Sequence, residues 1–348
     1  MHAFKLALLG AMALALPAQA KYTVFDIDGA GTQSGQGTFA TGINDRGTVV
    51  GDYADGSSVY RGFFRGKGDT FPFSAAGAGT GANQGTFVTG VSARNTTVGY
   101  IVAQDGGKHG FVRLASGKIT SFDVPGAGPL GTEADAISDL DVSAGTYFDG
   151  NGLRHCFLRA RAGQVTKFDP PGSLLCVANG VDSNGHVYGY YADVVEGLHG
   201  FEREATGQID VFDAPDAGGF EFNGTGPQSA SRNGEVVGVY GSANNRSHGF
   251  VRLQGGTIVE FDVPGAGPFG TIGTAVAADG TATGRFYDRH KALHGFLRSP
   301  AGAFVKLNAP GAGTDKNQGT FPTDVNQKGR VSGTAVDRNG VAHGFIRD

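Results

Sequence analysis

Six histidines, His109, His155, His199, His248, His294 and His343, recur through the chain at near-constant spacing. Asp55, Asp149, Asp193, Asp288 and Asp337 each stand six residues before one of them or, in the first case, before Arg61. Imidazole and carboxylate are common metal ligands, so a metal reading is the first to weigh. Regular spacing argues against it. A residue recurring once per structural unit is dispersed over the units, and no pair need converge. None of the aspartates heads a complete calcium loop with its terminal glutamate. The six histidines are therefore expected to be structural, each pinning its own unit by a hydrogen bond to the preceding turn or to the adjacent strand. No metal and no cofactor is expected.

Subtracting the recurring residues leaves polar ones that belong to single copies. Arg285, Phe286, Tyr287, Asp288, Arg289, His290 and Lys291 concentrate charge where other copies have small residues. Glu133 and Asp135 replace a Phe and a Thr of the repeat, and Glu221 and Asn223 sit in an unusual loop, GGFEFNGTG. Arg285, Arg289, His290, Lys291, Glu133, Asp135 and Glu221 are thus the candidate ligand-binding residues. Together they would form a cationic and acidic rim suited to an anionic or polyhydroxylated ligand. A polysaccharide lyase would need a base such as His290 or a tyrosine beside an Arg or Lys that neutralises a uronate carboxylate. No GxSxG elbow, HExxH pair or GxxxxGK[ST] phosphate loop is present, and no catalytic residue is assigned. Cys156 and Cys176 also depart from the repeat, replacing the Gly of an HGF triplet and the Thr of a GT pair. They are candidates for a disulfide, with two small buried thiols as the alternative.

The elements that must position these residues are read from the repeat itself. HGFVR, HCFLR, HGFER, HGFVR, HGFLR and HGFIR close at 113, 159, 203, 252, 298 and 347, with RGFFR at 61–65 as a degenerate first copy. In step with them run FDID at 25, FSAA at 73, FDVP at 122, FDPP at 168, FDAP at 212, FDVP at 261 and LNAP at 307. Seven copies at roughly 47-residue spacing signal stacked or ring-closed units, none able to bury its apolar face alone. Within residues 38–74, TFATGIN, TVVGDY, YRGFFR and TFPF are four short runs of strand-forming residues separated by turn clusters such as Asn44-Asp45-Arg46-Gly47. This predicts an antiparallel meander. No stretch sustains a 3.6-residue apolar period. The expected fold is all-β: a seven-bladed β-propeller with four antiparallel strands per blade. Phe63, Phe111, Phe157, Phe201, Phe250, Phe296 and Phe345 occupy the third strand of every unit. Small residues such as Ala40, Val88, Ala134, Ala178 and Gly273 suit first strands crowded around an axis. The chain has a spare fourth strand, TVFDI, at 23–27 and stops after a third strand at Asp348. The N-terminal strand is expected to complete the last blade and hide two edges.

Lys5 precedes the apolar run LALLGAMALALP, which ends in Ala18-Gln19-Ala20. That is the pattern of a secretory signal, so residues 1–20 are expected to be removed. Residues 21–348 would then form a single domain, exported to the periplasm or secreted. The run is short for a bilayer span, and the mature chain is expected to have none. A net charge of −4 with scattered carriers and no basic stripe argues against nucleic acid. The 61 glycines fall at fixed places in the repeat, which is turn chemistry rather than low complexity.

The unit FDVPGAG…GT…GIN..G.VVG.Y.D..G..HGF.R resembles the bacterial extracellular HAF-type repeat, named for a His-Ala-Phe triplet. Here the triplet is HGF in five copies, HCF at 155–157 and RGF at 61–63. The resemblance spans 22–348 and implies an exported, propeller-like repeat domain without a settled activity. It transfers no catalytic residue. Many proteins of this kind carry a C-terminal sorting segment. The end of this chain on its last HGF strand leads to the expectation of no surface anchor. The functional expectation is a monomeric, non-enzymatic binding module for polysaccharide or extracellular protein partners. The alternative is a propeller-type polysaccharide lyase or glycosidase with its site at the loop-lined mouth.

Overall fold

Each repeat folds as one antiparallel meander. The computed structural model describes residues 20–195, 197–218 and 224–348, and among these there are 28 strands and no helix. The predicted export signal lies outside the described residues except for Ala20. Unit 1 consists of Gly37–Ile43, Val49–Ala54, Tyr60–Gly66 and Asp69–Phe73, paired in that order. Units 2 to 6 repeat the pattern over 85–122, 132–168, 175–212, 225–261 and 271–307. Unit 7 has three strands, Gly319–Val325, Val331–Val336 and Ala342–Arg347. Along the last of these runs the N-terminal strand Tyr22–Phe25, antiparallel, with Val24 opposite Phe345.

The HGFxR and FD motifs together make the joint between consecutive units. All seven third-strand phenylalanines are fully buried. Phe122, in the fourth strand of unit 2, lies across Gly110 so closely that a Cβ there would come within 2.7 Å of its ring. The same ring meets Phe157 of unit 3 edge-on at 6.0 Å, while Arg159 covers its face at 4.7 Å. Phe73 with Phe111 and Arg113, Phe168 with Phe201 and Arg203, and Phe212 with Phe250 and Arg252 repeat the arrangement. Phe25 of the N-terminal strand does the same with Phe63 and Arg65 of unit 1. Burying each such ring contributes roughly 1.5–3 kcal/mol, with cation–π contacts adding about 0.5–1 kcal/mol. The LNAP copy supplies Leu307 instead, buried in one cluster with Phe345.

The GT pair makes a second joint. Gly85 has φ +128°, and a Cβ on it would lie 2.0 Å from the carbonyl oxygen of Tyr60 in the preceding unit, so only glycine fits. There it forms a single parallel bridge with Tyr60. Gly37 with Ala342 and Gly319 with Leu293 are equivalent, so strands of units 6, 7, 1 and 2 run together as one 16-stranded sheet. The Thr that follows accepts a backbone N–H from the preceding connection: Val124 to Thr132 at 3.0 Å, Ala309 to Thr320 at 2.9 Å and Ile27 to Thr38 at 3.0 Å.

Unit 4 breaks the second joint in a coordinated way. Cys176 stands at the Thr position, and the residue that would donate to it is Pro170, which has no N–H. Cys176 instead bonds Cys156 in unit 3, with Cα atoms 5.4 Å apart. A covalent link thus replaces the missing hydrogen bond.

The histidines sit between two partners. Nδ1 of His109, His155, His199, His248 and His343 faces the carboxylate of Asp123, Asp169, Asp213, Asp262 and Asp26 respectively, at 2.7–2.9 Å. These are the aspartates of the FD motif in the adjacent strand. His294 pairs likewise with Asn308 of LNAP at 2.9 Å. On the other side, Nε2 approaches the turn aspartate, at 3.4 Å for His199 and Asp193 and 3.2 Å for His294 and Asp288. Each turn aspartate is itself fixed by backbone N–H donors two and four residues on, as in Asp149 with Asn151 and Leu153. In unit 1 the changes travel together: Arg61 replaces His and Ser74 replaces the FD aspartate, leaving Arg61 paired with Asp55 at 3.0 Å. Among the described residues no three His, Cys, Asp or Glu side chains gather to hold a metal.

Candidate ligand-binding site

The first strands of all seven units line one central cavity. Thr41, Thr89, Asp135, Asn179, Gln228, Thr274 and Thr323 occupy equivalent positions around it. Ala40, Val88, Ala134 and Ala178 alternate with this ring and point the other way, into the buried packing between sheets. The ring side chains stitch neighbouring units: Thr89 Oγ1 donates to the carbonyl of Ala134 at 2.7 Å, Thr274 to Pro322 at 2.9 Å and Thr323 to Ala40 at 2.9 Å. Asn179 donates to Pro227 at 2.9 Å. The cavity is narrow and polar, about 210 Å³ at mid-depth and about 110 Å³ towards the first-to-second-strand turns. At that end Arg232 pairs with Asp45 at 3.3 Å.

Two carboxyls lining this cavity, Asp135 and Asp324, and a third buried one, Asp52, are held above the usual carboxylate range. Burial pushes Asp52 up to about 7 against the lowering effect of the Val88 N–H, and burial likewise pushes Asp324 up to about 7. Asp135 is raised well above its ordinary value by burial and by Glu133. Elsewhere four turn aspartates are shifted down. Asp149 is lowered foremost by the Leu153 N–H, and in Asp193, Asp288 and Asp337 backbone donors and the facing histidine outweigh burial. For His199 burial acts downward, but Asp213 and Asp193 raise it overall.

These shifts set the pH dependence of stability. An acid whose folded value exceeds its unfolded value of about 3.9 stabilises the fold while protonated and loses that contribution as pH rises through the folded value. The lowered aspartates act in the opposite sense, losing their contribution as pH falls below about 4. The melting temperature should therefore peak between about pH 4 and 6 and fall towards pH 8. Asp52→Asn keeps an acceptor for Val88 and should flatten the fall, raising the melting temperature at pH 8. Thermal melts across that range check this, and an unaltered profile in the variant contradicts it.

On the face where first strands begin and second strands end, the cavity opens between loops of unlike composition. In units 1 and 2 a run of rings, Phe39, Tyr60, Phe87 and Tyr100, stands at successive centroid distances of 6.1, 4.5 and 5.2 Å. Lys108 follows, over Tyr100 at 5.5 Å and ion-paired with Glu133. Arg154 covers Phe148 at 5.1 Å. Burial, then Glu133 and Asp135, raises the Tyr100 phenol, and burial raises that of Tyr190.

In unit 6 the second strand Ala282–Tyr287 carries Arg285 beside Tyr287, with a hydrogen bond between their side chains. Burial lowers the Arg285 guanidinium from its ordinary value. Tyr287 meets Phe269 edge-on at 5.5 Å, and Lys291 Nζ lies 5.0 Å above the Phe269 ring. These groups border a cleft of about 430 Å³, lined by Ser247, Phe269, Ile272, Tyr287, Lys291, Lys316 and Asn317.

The sequence-named residues divide accordingly. Glu133 and Asp135 lie on one first strand, Thr132–Ile137, together with Lys108 from the neighbouring unit. Arg285 and Lys291 meet at the unit 6 cleft through Tyr287 and Phe269. Arg289 and His290 are exposed in the turn and hydrogen-bond each other at 2.9 Å, so His290 does not join Arg285 as a base beside a cation. Glu221, with Asn223, lies outside the described residues. Phe269, Lys316 and the Phe39–Tyr100 run are absent from the sequence-derived set. Phe269 was visible as an aromatic where unit 3 has Leu130, but Phe39 and Phe87 read as ordinary strand positions.

No protein-family model matches the chain, and no curated protein matches it in sequence. Among solved structures it is similar to a streptogramin B lyase, with a TM-score of 0.60 and 13% identity over 94% of this chain and 98% of that one. It is also similar to a puromycin hydrolase variant, with a TM-score of 0.56 and 14% identity over 87% of this chain and 50% of that one. At such identity the likeness concerns the fold, a β-propeller.

Proposed function

We propose that residues 21–348 form an exported, seven-bladed β-propeller of the HAF-type repeat class, its ring closed by the N-terminal strand, acting as a non-enzymatic binding module for glycan or protein partners. Closure is supported by the pairing of Tyr22–Phe25 with Ala342–Arg347, by the Asp26–His343 contact and by the Gly37–Ala342 bridge. Export is supported by the signal-like first twenty residues.

The observation that carries the functional reading is the unit 6 cleft. Aromatic faces, a lysine above one of them and a half-buried arginine behind form a concave surface with few, convergent polar groups, the usual make-up of a ligand site. A glycan array probed with the purified mature chain should return carbohydrate ligands. Phe269→Ala with Tyr287→Ala should weaken their binding at least about tenfold, the loss expected when an aromatic anchor is removed, with no change in melting temperature. Undiminished binding by the double variant would remove the site from this cleft.

One feature favours the alternative, a polysaccharide lyase or glycosidase. Glu133 and Asp135 share a strand close to Lys108, Arg154 and two raised tyrosines, and Asp135 is held well above the usual carboxylate range. An acid held high in this way is suited to proton donation. Shortening of bound polysaccharides during incubation, abolished by Asp135→Asn, would establish that reading over the first.

A further inference from the structure

The unit 6 cleft does not end at unit 6. Lys316 and Asn317, in the loop leading into unit 7, line it on one side and on the other line a second cleft of about 540 Å³. That second cleft runs between units 7 and 1, with Phe39 and Tyr60 at its far wall and Arg338 on its rim. The two form one trough across unit 7, with an aromatic pair at each end and Lys291, Lys316 and Arg338 between. The chain carries a net charge of −4, yet no carboxylate is among the described residues lining either cleft. Asp315, next to Lys316, lies outside the lining.

The loop shared by the two clefts is locked. Gln318 Oε1 accepts the N–H of Asp315 at 3.1 Å, and Gln318 Nε2 donates to the carbonyl of Arg338 at 3.0 Å. The loop is thereby tied to the turn that bears the rim arginine. Asn317 adopts a left-handed conformation with φ 64°, which asparagine tolerates better than most residues. Fixing the backbone that bears the cations before a ligand arrives reduces the ordering cost of binding.

We propose that this trough binds an acidic oligosaccharide several residues long, a uronate polymer, with sugar ring faces on the aromatic pairs and carboxylates on Lys316 and Arg338. Aromatic side chains present an apolar face to the C–H side of a sugar ring, and Arg or Lys pairs with carboxylate through charge-assisted hydrogen bonds. The order of aromatic, cationic and again aromatic groups suits a chain of rings bearing negative charge, and a compact ligand could occupy only one cleft. This inference rests on the binding-module reading and specifies its ligand.

The test is calorimetric titration of the mature chain with dimeric and hexameric oligogalacturonate, the methyl-esterified hexamer and poly-glutamate. The acidic hexamer should bind at least about tenfold more tightly than the dimer, because the second cleft is then filled intramolecularly. Added salt should weaken it. Lys316→Gln with Arg338→Gln, both surface changes, should erase most of that gain. Four results would each overturn the trough: equal affinity for dimer and hexamer, an unchanged hexamer affinity in the double variant, an esterified hexamer that binds as tightly, or poly-glutamate that does so. A dimer that binds without a length gain leaves the parent reading standing. If neither length binds and the glycan array is also empty, the trough and the carbohydrate reading fall together.

Discussion

Removing residues 21–28 should destabilise the whole protein, lowering its melting temperature by on the order of 10 °C. The segment supplies to unit 7 and unit 1 what the fourth strand supplies elsewhere. Phe25 lies over Gly344, meets Phe63 at 6.0 Å and is covered by Arg65 at 4.8 Å. Ile27 is buried with Val49, Tyr53 and Ile346, and its N–H donates to Thr38. Asp26 faces His343. Burial of Phe25 and Ile27 accounts for roughly 3–6 kcal/mol, and each lost hydrogen bond adds about 1 kcal/mol. For a chain of this size a kcal/mol corresponds to a few degrees. Deletion would also expose the edge of Ala342–Arg347, inviting self-association. Circular dichroism melts and light scattering of the truncated chain measure both effects. An unchanged melting temperature would remove the basis for a ring closed by the N-terminal strand.

Loss of the Cys156–Cys176 bond should have the next largest effect. The bridge closes a 20-residue separation between neighbouring units, which in the chain-entropy account is worth roughly 3 kcal/mol, or about 6–10 °C. Restoring the repeat residues, Cys156→Gly with Cys176→Thr, should not recover it, because Pro170 has no N–H to give the new hydroxyl. Adding Pro170→Val to that pair supplies the donor and should return about 1 kcal/mol. Melts of the oxidised protein, the double variant and the triple variant check the series. A double variant as stable as the oxidised protein would show that the bridge is dispensable.

Both predictions depend on motifs that are local in sequence, and these were the legible part. Third-strand phenylalanines, turn glycines and the four short strands per unit follow from residue type and period, since a unit too small to bury its own face must repeat the same contacts with each neighbour. The partner of the histidines was less legible. The turn aspartate six residues before was evident, but the FD aspartate, fourteen residues after His109, becomes a neighbour only through antiparallel pairing of the third and fourth strands. The pairing of Pro170 with Cys176 could have been read in advance, since FDPP is the copy with proline at the donor position. Its meaning required knowing that this N–H bonds the GT threonine.

The candidate site was legible only in fragments. Departure from the repeat pointed to Arg285, Lys291, Glu133 and Asp135 but could not separate them from Arg289 and His290, which occupy the same turn region and face solvent. Lys316 and Arg338 lie in loops of ordinary composition. They matter because neighbouring units bring Phe269, Tyr287, Phe39 and Tyr60 to either side of them. The sequence by itself determined the repeating unit, its strands and the residues that join one unit to the next, because those contacts recur with the period. The tertiary structure alone decided which unlike loops share a cleft and which carboxyls lose their water, because both depend on residues brought together across unit boundaries.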